Sequence, residues 1–421
     1  MNVTVLAFGS RGDVQPAVAL AAALALHGHA TSLVAPRNFA ALATRYGVGF
    51  RAMPIDMVEE LRAPETEALF AGGGNPVALV RWSLQMIRRT GGGIASAVLE
   101  GAEDADLMVA TALMGPFGAL LAKRLEVPCV HAWWAPALAA RDFLFAASET
   151  APPRLPGWAN RALFHGLEQG MWLAMRPAYR PACKICGLPP PPFAPPLRRA
   201  IGHGETLLLA YSEALLPRSR EWPANVEVTG WWFLDDRANW TPPPELERFL
   251  ADGPIPIYVG FGSMALFDRD ASLDAVLAAV ARAGARAVVS AGWGGLARND
   301  LPPSIFALDE APHDWLFPRM AAIVHHGGAG TTGAALRAGK PSVVTPFITD
   351  QHAWARLLFA RGLAPAPLPH RALTADALAA AIRTALSDNA MRERAAAIGA
   401  TVRAENGLAN AVAAIERSAP R

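Results

Sequence analysis

Short, continuous apolar runs alternate with alanine- and leucine-rich helical stretches from residue 3 to residue 132, and the alternation restarts at residue 256. A chain patterned in this way forms parallel, doubly wound sheets with helices on both faces. In the first half, residues 3–8 read as a fully buried strand closed by Gly9. Pro16 suits the first turn of the helix that follows, and His27-Gly28-His29 ends it. Residues 31–35, 106–110 and 129–132 are further strands, the last two separated by a helix over 117–125. In the second half the same reading gives strands at 256–261, 287–290, 321–325 and 342–346, with helices at 271–283 and 331–338.

Two proline-rich stretches, 188–196 and 241–244, interrupt regular structure. The second reads as a linker, because 207–211 and 226–229 still look like strands of the first half. The expected division is 1–235 and 236–400, each a Rossmann-like domain, followed by a C-terminal helix, 401–421, packing back on the first. Doubly wound sheets bind ligands at the carboxyl ends of their strands, so two of them facing each other make a cleft for two substrates.

A length of 421 residues fits two such units, and a 52% apolar, 18% charged composition prompts a search for a membrane span. The longest apolar run, 17–26, falls well short of the roughly 20 residues a bilayer requires. No basic region precedes 3–8, which argues against a secretory signal and for the cytoplasm. A net charge of +2 without a basic tract argues against nucleic acid as a partner. Cys129, Cys183 and Cys186 cannot build a disulfide framework, and zinc would need ligands beyond the Cys183-x-x-Cys186 pair, so all three read as structural.

The densest segment is residues 324–333, which joins a buried strand to a helix. Glycines let backbone approach a ligand, and a helix start offers free N–H groups and a positive dipole end, so this is a diphosphate cradle. Thr331 and Thr332 add hydroxyl donors, and His326 is placed to give a hydrogen bond or positive charge to a phosphate oxygen. Gly328-x-Gly330-x-x-Gly333 also matches the dinucleotide fingerprint, with Asp350 about 20 residues on. Against an NAD(P) enzyme stand the position in the second half of the chain and the two histidines crowding the strand end. Asp350 and Gln351, side by side, suit directed hydrogen bonds to sugar hydroxyls.

His325-His326-Gly-Gly-x-Gly-Thr-Thr, Gly339-Lys340-Pro341 and Pro346-x-x-x-Asp350-Gln351 together resemble the donor-binding signature of the family 1 UDP-glycosyltransferases. Residues 312–318 and 260–264 are similar to the sterol glucosyltransferases and their bacterial relatives, and residues 9–16 to the first loop of that subgroup and of the glycopeptide-antibiotic glycosyltransferases. The resemblance implies the GT-B fold and inverting transfer of a hexose, glucose or a deoxysugar such as rhamnose, from a UDP- or dTDP-sugar. It also implies a lipophilic acceptor: a sterol, lipid, polyketide or other natural product. By position, Gly262, Ser263, His326, Gly328, Gly330, Thr331 and Thr332 would hold the diphosphate, and Ser10, Arg11 and Gly12 would touch the nucleotide sugar. Asp350 and Gln351 would hold the sugar, and Ala311 and His313 the base and ribose. Two departures bear on base choice: Glu310 stands where many relatives stack a Trp, and Ala334 where many carry a ribose-binding Glu.

Inversion needs a base within reach of the acceptor hydroxyl. Asp13 sits where many members carry a catalytic His and this subgroup an Asp; the competing role is a helix cap. No acid stands at Ala110-Thr111-Ala112, where the His enzymes keep a partner carboxylate. Asp104-x-Asp106 and Asp268-x-Asp270 are poor metal candidates, one at the wrong end of its strand and one in a charged loop, so no metal or cofactor is expected. Trp82, Met86, Trp133 and Trp134 are the acceptor-side candidates, and the same apolar surface suits peripheral contact with a membrane. The chain is expected as a monomer or homodimer. Two alternatives remain at this stage: a GT-B epimerase, which would make a new epimer from UDP-sugar alone, and a non-catalytic nucleotide- or lipid-binding protein, in which Asp13→Ala would change no transfer.

Overall fold

The computed structural model describes residues 1–66, 76–143, 145, 155–262, 269–290, 301–348 and 350–419. The first sheet is built from β1 (Asn2–Leu6), β2 (Ala30–Pro36), β3 (Gly49–Met53), β4 (Leu107–Thr111), β5 (Cys129–Trp133), β6 (Leu207–Leu209) and β7 (Val226–Val228), in the order β3-β2-β1-β4-β5-β6-β7. The second contains β8 (Ile257–Gly260), β9 (Ala287–Ser290), β10 (Ile305–Leu308), β11 (Ile323–His325) and β12 (Ser342–Val344), in the order β10-β9-β8-β11-β12. Every ladder is parallel. Both orders reverse direction beside their first strand, which opens a crevice at the carboxyl edge of each sheet. Two doubly wound sheets, the GT-B arrangement, are thus present.

The helices that matter below are α1 (Arg11–Leu26), α2 (Pro76–Gly101), α3 (Gly115–Leu125), α4 (Gly157–Met175), α5 (Arg269–Arg282), α6 (Ala329–Arg337), α7 (Gln351–Ala360), α8 (Ala375–Ser387), α9 (Asn389–Ala404) and α10 (Gly407–Arg417). α1 begins at Arg11, a full turn before the position that Pro16 suggests. The Ser10–Asp13 cap starts the helix early, and Pro16 lies inside it, where its missing N–H leaves the Gly12 carbonyl without its helical partner.

The two halves are clamped beneath the cleft by aromatic side chains. Trp354 of α7 is fully buried, with ring centroids of Phe145 at 4.9 Å, Tyr211 at 6.0 Å and Trp231 at 6.2 Å, all three from the first half. Arg337 of α6 pairs with Asp235 and lies 4.6 Å over the Phe233 ring, and Arg45 reaches Asp236 at 3.0 Å. The chain returns at its end: α10 packs on α1, the Asn410 amide donates to the Thr229 carbonyl at 3.0 Å, and Arg417 pairs with Glu227 at 2.7 Å.

Candidate active site

The turn between β1 and α1 lies at the carboxyl edge of the first sheet. Gly9 takes φ +125°, and a Cβ there would stand 2.3 Å from Asp13 Oδ2, so only glycine lets the carboxylate fold back over the turn. The Ser10 N–H donates to Asp13 Oδ2 at 2.8 Å and the Ser10 hydroxyl at 3.1 Å, which satisfies one of the free N–H groups at the helix start. Both bonds fall on Oδ2, leaving Oδ1 unengaged among the described residues. Burial pushes the Asp13 pKa up from 3.8 to about 6; the Ser10 bonds pull it down, and the negative charge of Asp350 adds to the rise. Asp13 and Asp350, carried by different sheets, therefore sense each other across the cleft.

On the opposite side, β11 ends at His325 and α6 begins at Ala329 with Gly328 as its N-cap, which has no side chain to occupy the first N–H groups. The His326 ring lies against this start: a Cβ on Gly328 would be 2.4 Å from His326 Nε2, and one on Gly262, at φ +59°, would be 3.3 Å from His326 Cε1. Burial lowers the His326 pKa to about 4, so the imidazole is neutral and offers a hydrogen bond in place of the expected charge. His325 is held down to about 3 by burial first, and its Nδ1 accepts from the Gly327 N–H at 3.1 Å, which locks the turn. Gly330 is exposed and Thr331 half-buried at the helix start, whereas Thr332 is fully buried. Gly333 has a different job: a Cβ there would meet the Trp231 ring at 2.8 Å, so it lets α6 press on the first half.

Asp350 is the N-cap of α7. Gln351 is buried, and its Oε1 accepts from the N–H groups of Phe347 at 2.9 Å and Ile348 at 3.2 Å, so only its NH2 is left for a ligand. Ser263 lies outside the described residues. His313 stacks on Phe317 at 4.1 Å; its pKa falls to about 3, through burial first and then the charges of Arg11 and His326, which places all three in one field. Ala311 is half-buried at the edge of the second core.

Two residues join the site that sequence reasoning did not assign to it. Arg11 Nη1 meets Glu310 Oε1 at 2.7 Å, an ion pair that spans the cleft. Tyr258 is buried in β8 with its hydroxyl over Gly260, where a Cβ would be 2.2 Å away, and both Ser290 and Arg11 act on it. The departure at Glu310 is a signal for the first; no sequence signal marks the second.

On the acceptor side, Trp133 ends β5 half-buried, its Nε1 without a partner among the described residues. Trp134 is buried and packs edge-on against Trp232 at 5.4 Å, so its ring fills core. Trp82 is half-buried, with Nε1 donating to Thr66 Oγ1 at 2.9 Å, and Met86, one turn along α2, is buried. Of the two Asp-x-Asp strings, Asp106 accepts from the Asn2 backbone N–H at 2.7 Å, at the amino end of the sheet and away from the cleft, and Asp268 lies outside the described residues.

Residues 3–90 match the glycosyltransferase family 28 N-terminal domain, and residues 274–416 match the C-terminal domain of erythromycin biosynthesis protein CIII-like proteins. The chain is 36% identical over 430 residues to O-mycaminosyltylonolide 6-deoxyallosyltransferase of Streptomyces fradiae, covering 99% of this chain and 97% of that one. It belongs to the family 1 glycosyltransferases. A sterol 3-beta-glucosyltransferase of Cryptococcus neoformans is 30% identical over 442 residues, which span 99% of this chain but 27% of that longer protein. The glycosyltransferase VinC, solved in complex with dTDP, superposes with a TM-score of 0.68 at 20% identity over 99% of both chains, which shows the shared fold. Family membership makes the chain a hexosyltransferase and overturns the dinucleotide, epimerase and non-catalytic alternatives.

Proposed function

We propose that this glycosyltransferase works by inversion, with Asp13 as general base, the second half holding a UDP- or dTDP-sugar, and the first half holding a lipophilic alcohol such as a macrolide, other polyketide or sterol. The observation that carries the reading is that α1, whose first turn holds Asp13, packs against α6, whose start is the cradle, while the Asp350 charge acts on Asp13. A carboxylate raised to about 6 is still ionised at neutral pH and is a stronger base than an ordinary aspartate. The diphosphate would lie on the N–H groups of residues 328–331, with His326 Nε2 as a further donor and Arg11 as a cation from the facing half, so no metal need enter the step. Asp350 and the Gln351 NH2 would orient the sugar. The relatives' names, a macrolide 6-deoxyallosyltransferase and sterol glucosyltransferases, support the acceptor class, and VinC with dTDP supports the donor. A thermal-shift screen of UDP, dTDP and GDP tests the donor, because binding stabilises as RT ln(1 + [L]/Kd). An NMR assignment of the product's anomeric configuration tests inversion: retention sinks it.

The Arg11–Glu310 pair implies a competition, since Glu310 neutralises the cation that a diphosphate would use. Glu310→Gln is expected to tighten the donor about two- to fivefold, the scale of a solvent-exposed ion pair, as read by isothermal titration. Weaker binding would instead make Glu310 a donor contact.

α4 presents Trp158, Leu163, Leu167 and Met171 to solvent. Around it, residues 155–203 carry Arg161, Arg176, Arg180, Lys184, Arg198 and Arg199 against the single acid Glu168. An exposed apolar face in a basic setting supports contact with an anionic lipid surface, from which a lipophilic acceptor would be drawn. No helix among the described residues is long and apolar enough to cross a membrane. Leu167→Glu with Met171→Glu is expected to abolish sedimentation with anionic vesicles while leaving neutral vesicles, which should not bind, unchanged.

A further inference from the structure

Outside the cleft, the described residues hold one group of side chains with the chemistry of a metal centre. Cys129 and His131 lie two apart on β5, so they share one face of the sheet. Glu205 comes just before β6, the strand that pairs with β5 through His131 and Leu207. One ligand atom from each, a sulfur, a ring nitrogen and a carboxylate oxygen, all lie within 4.8 Å of one another.

The three groups are buried against one another and already interact. His131 is fully buried; its Nε2 meets Glu205 Oε2 at 2.9 Å, but its Nδ1 has no partner among the described residues. The Cys129 thiol, also buried, donates to the Val130 carbonyl at 3.9 Å and acts on the neighbouring His131 ring. A metal ion shared with Glu205 would take the His131 Nε2 lone pair in place of that hydrogen bond, since Nδ1 points to the other side of the ring. A recess of about 410 Å³ opens beside the cluster, lined in part by Cys129, Glu205, His203 and Glu227, which gives an entry path and room for a water at a fourth position.

We propose that Cys129, His131 and Glu205 bind a zinc ion that staples β5 to the segment leading into β6. Mixed S, N and O donors suit zinc and disfavour magnesium, which takes oxygen. Tetrahedral bonds of about 2.0–2.3 Å set ligand atoms roughly 3.3–3.8 Å apart, so side-chain shifts on the order of an ångström close the site. Cys129 and His131 stand at the amino end and middle of β5, whereas the crevice lies at its carboxyl end, beyond Trp133. The ion would therefore be structural and separate from the metal-free transfer proposed above. The same recess is walled by Arg417 and Ser418, and Ser418 bonds Thr206 at 2.8 Å, so the ion would also steady the docking of α10.

The test uses the full chain, stripped with chelator and titrated with zinc chloride while bound metal and thermal midpoint are read. One zinc per chain is expected, with a raised midpoint. Cys129→Ser, nearly isosteric, and Glu205→Gln, at a partly exposed position, should each weaken zinc by on the order of a hundredfold or more and remove the midpoint rise. Cys183→Ser with Cys186→Ser should keep both. Cobalt in place of zinc should give a thiolate-to-metal charge-transfer band that Cys129→Ser loses. Zinc uptake and midpoint unchanged by Cys129→Ser and by Glu205→Gln, or no stoichiometric uptake at all, would overturn the site and leave an adventitious ion only.

Discussion

Asp13→Asn is expected to lower kcat by about a thousandfold, the middle of the range for a lost general base, with little change in donor affinity. Asparagine keeps an oxygen for the Ser10 N–H, so the start of α1 should survive. The pH dependence gives an independent reading. The folded-state pKa of about 6 lies above the ordinary 3.8, so the base is roughly nine-tenths ionised at pH 7 and one-tenth at pH 5. The wild-type rate should fall below pH 6 with unit slope, and that limb should vanish in the variant's residual activity. The stability sign is opposite to that of a salt-bridged aspartate. A raised carboxyl contributes stability that is fully present below pH 3.8 and is lost as pH rises through 6, so Asp13→Asn should be no less stable than wild type at pH 8. A variant that loses activity together with its thermal midpoint would reduce Asp13 to a cap.

The second large effect is on the joint between the halves. Trp354→Ala empties a fully buried indole site, and losses of about 3–5 kcal/mol are usual for such truncations. Phe145, Tyr211 and Trp231 all lean on that ring from the other half, so the expected calorimetric signature is one cooperative transition splitting into two. A single transition at an unchanged midpoint would mean that the cluster does not couple the sheets. Trp354→Phe, which keeps an aromatic surface, should fall between the two.

The two sheets were legible because buried parallel strands read as continuous apolar runs, and β1, β2, β4, β5, β8, β9, β11 and β12 all do. β3 was missed because Gly49, Arg51 and Ala52 leave an edge strand with little apolar signal. β10 was missed as a four-residue run among prolines and acids. α2 carries three consecutive glycines, Gly91, Gly92 and Gly93, which weaken its helical signal. Two of these glycines let the helix press close to its neighbours: a Cβ on Gly93 would stand 2.6 Å from Pro54, and one on Gly92 would stand 2.8 Å from Ile185.

At the site, glycine spacing marked the α6 start, but it could not separate Gly328, which clears room for His326, from Gly333, which clears room for Trp231. Residue type alone also overstated His326, whose burial removes its charge, and Gln351, whose oxygen is spent on its own loop. The Arg11–Glu310 pair is hinted at by the departure at Glu310 alone, and the partner that completes the Cys129–His131 pair, Glu205, lies 74 residues further on, where no local pattern signals it.

The return of α10 to the first sheet means that the backbone passes between the halves twice, once near Asp235 and again near Glu405. A door hung on two pins swings but does not twist. Opening to admit a bulky acceptor is thereby confined to rotation about the line through the two crossings, and the reach of Asp13 toward the donor becomes a single angular coordinate. Cutting the chain after Ala404 would leave one pin, and such a protein should still bind nucleotide while losing the alignment that transfer requires.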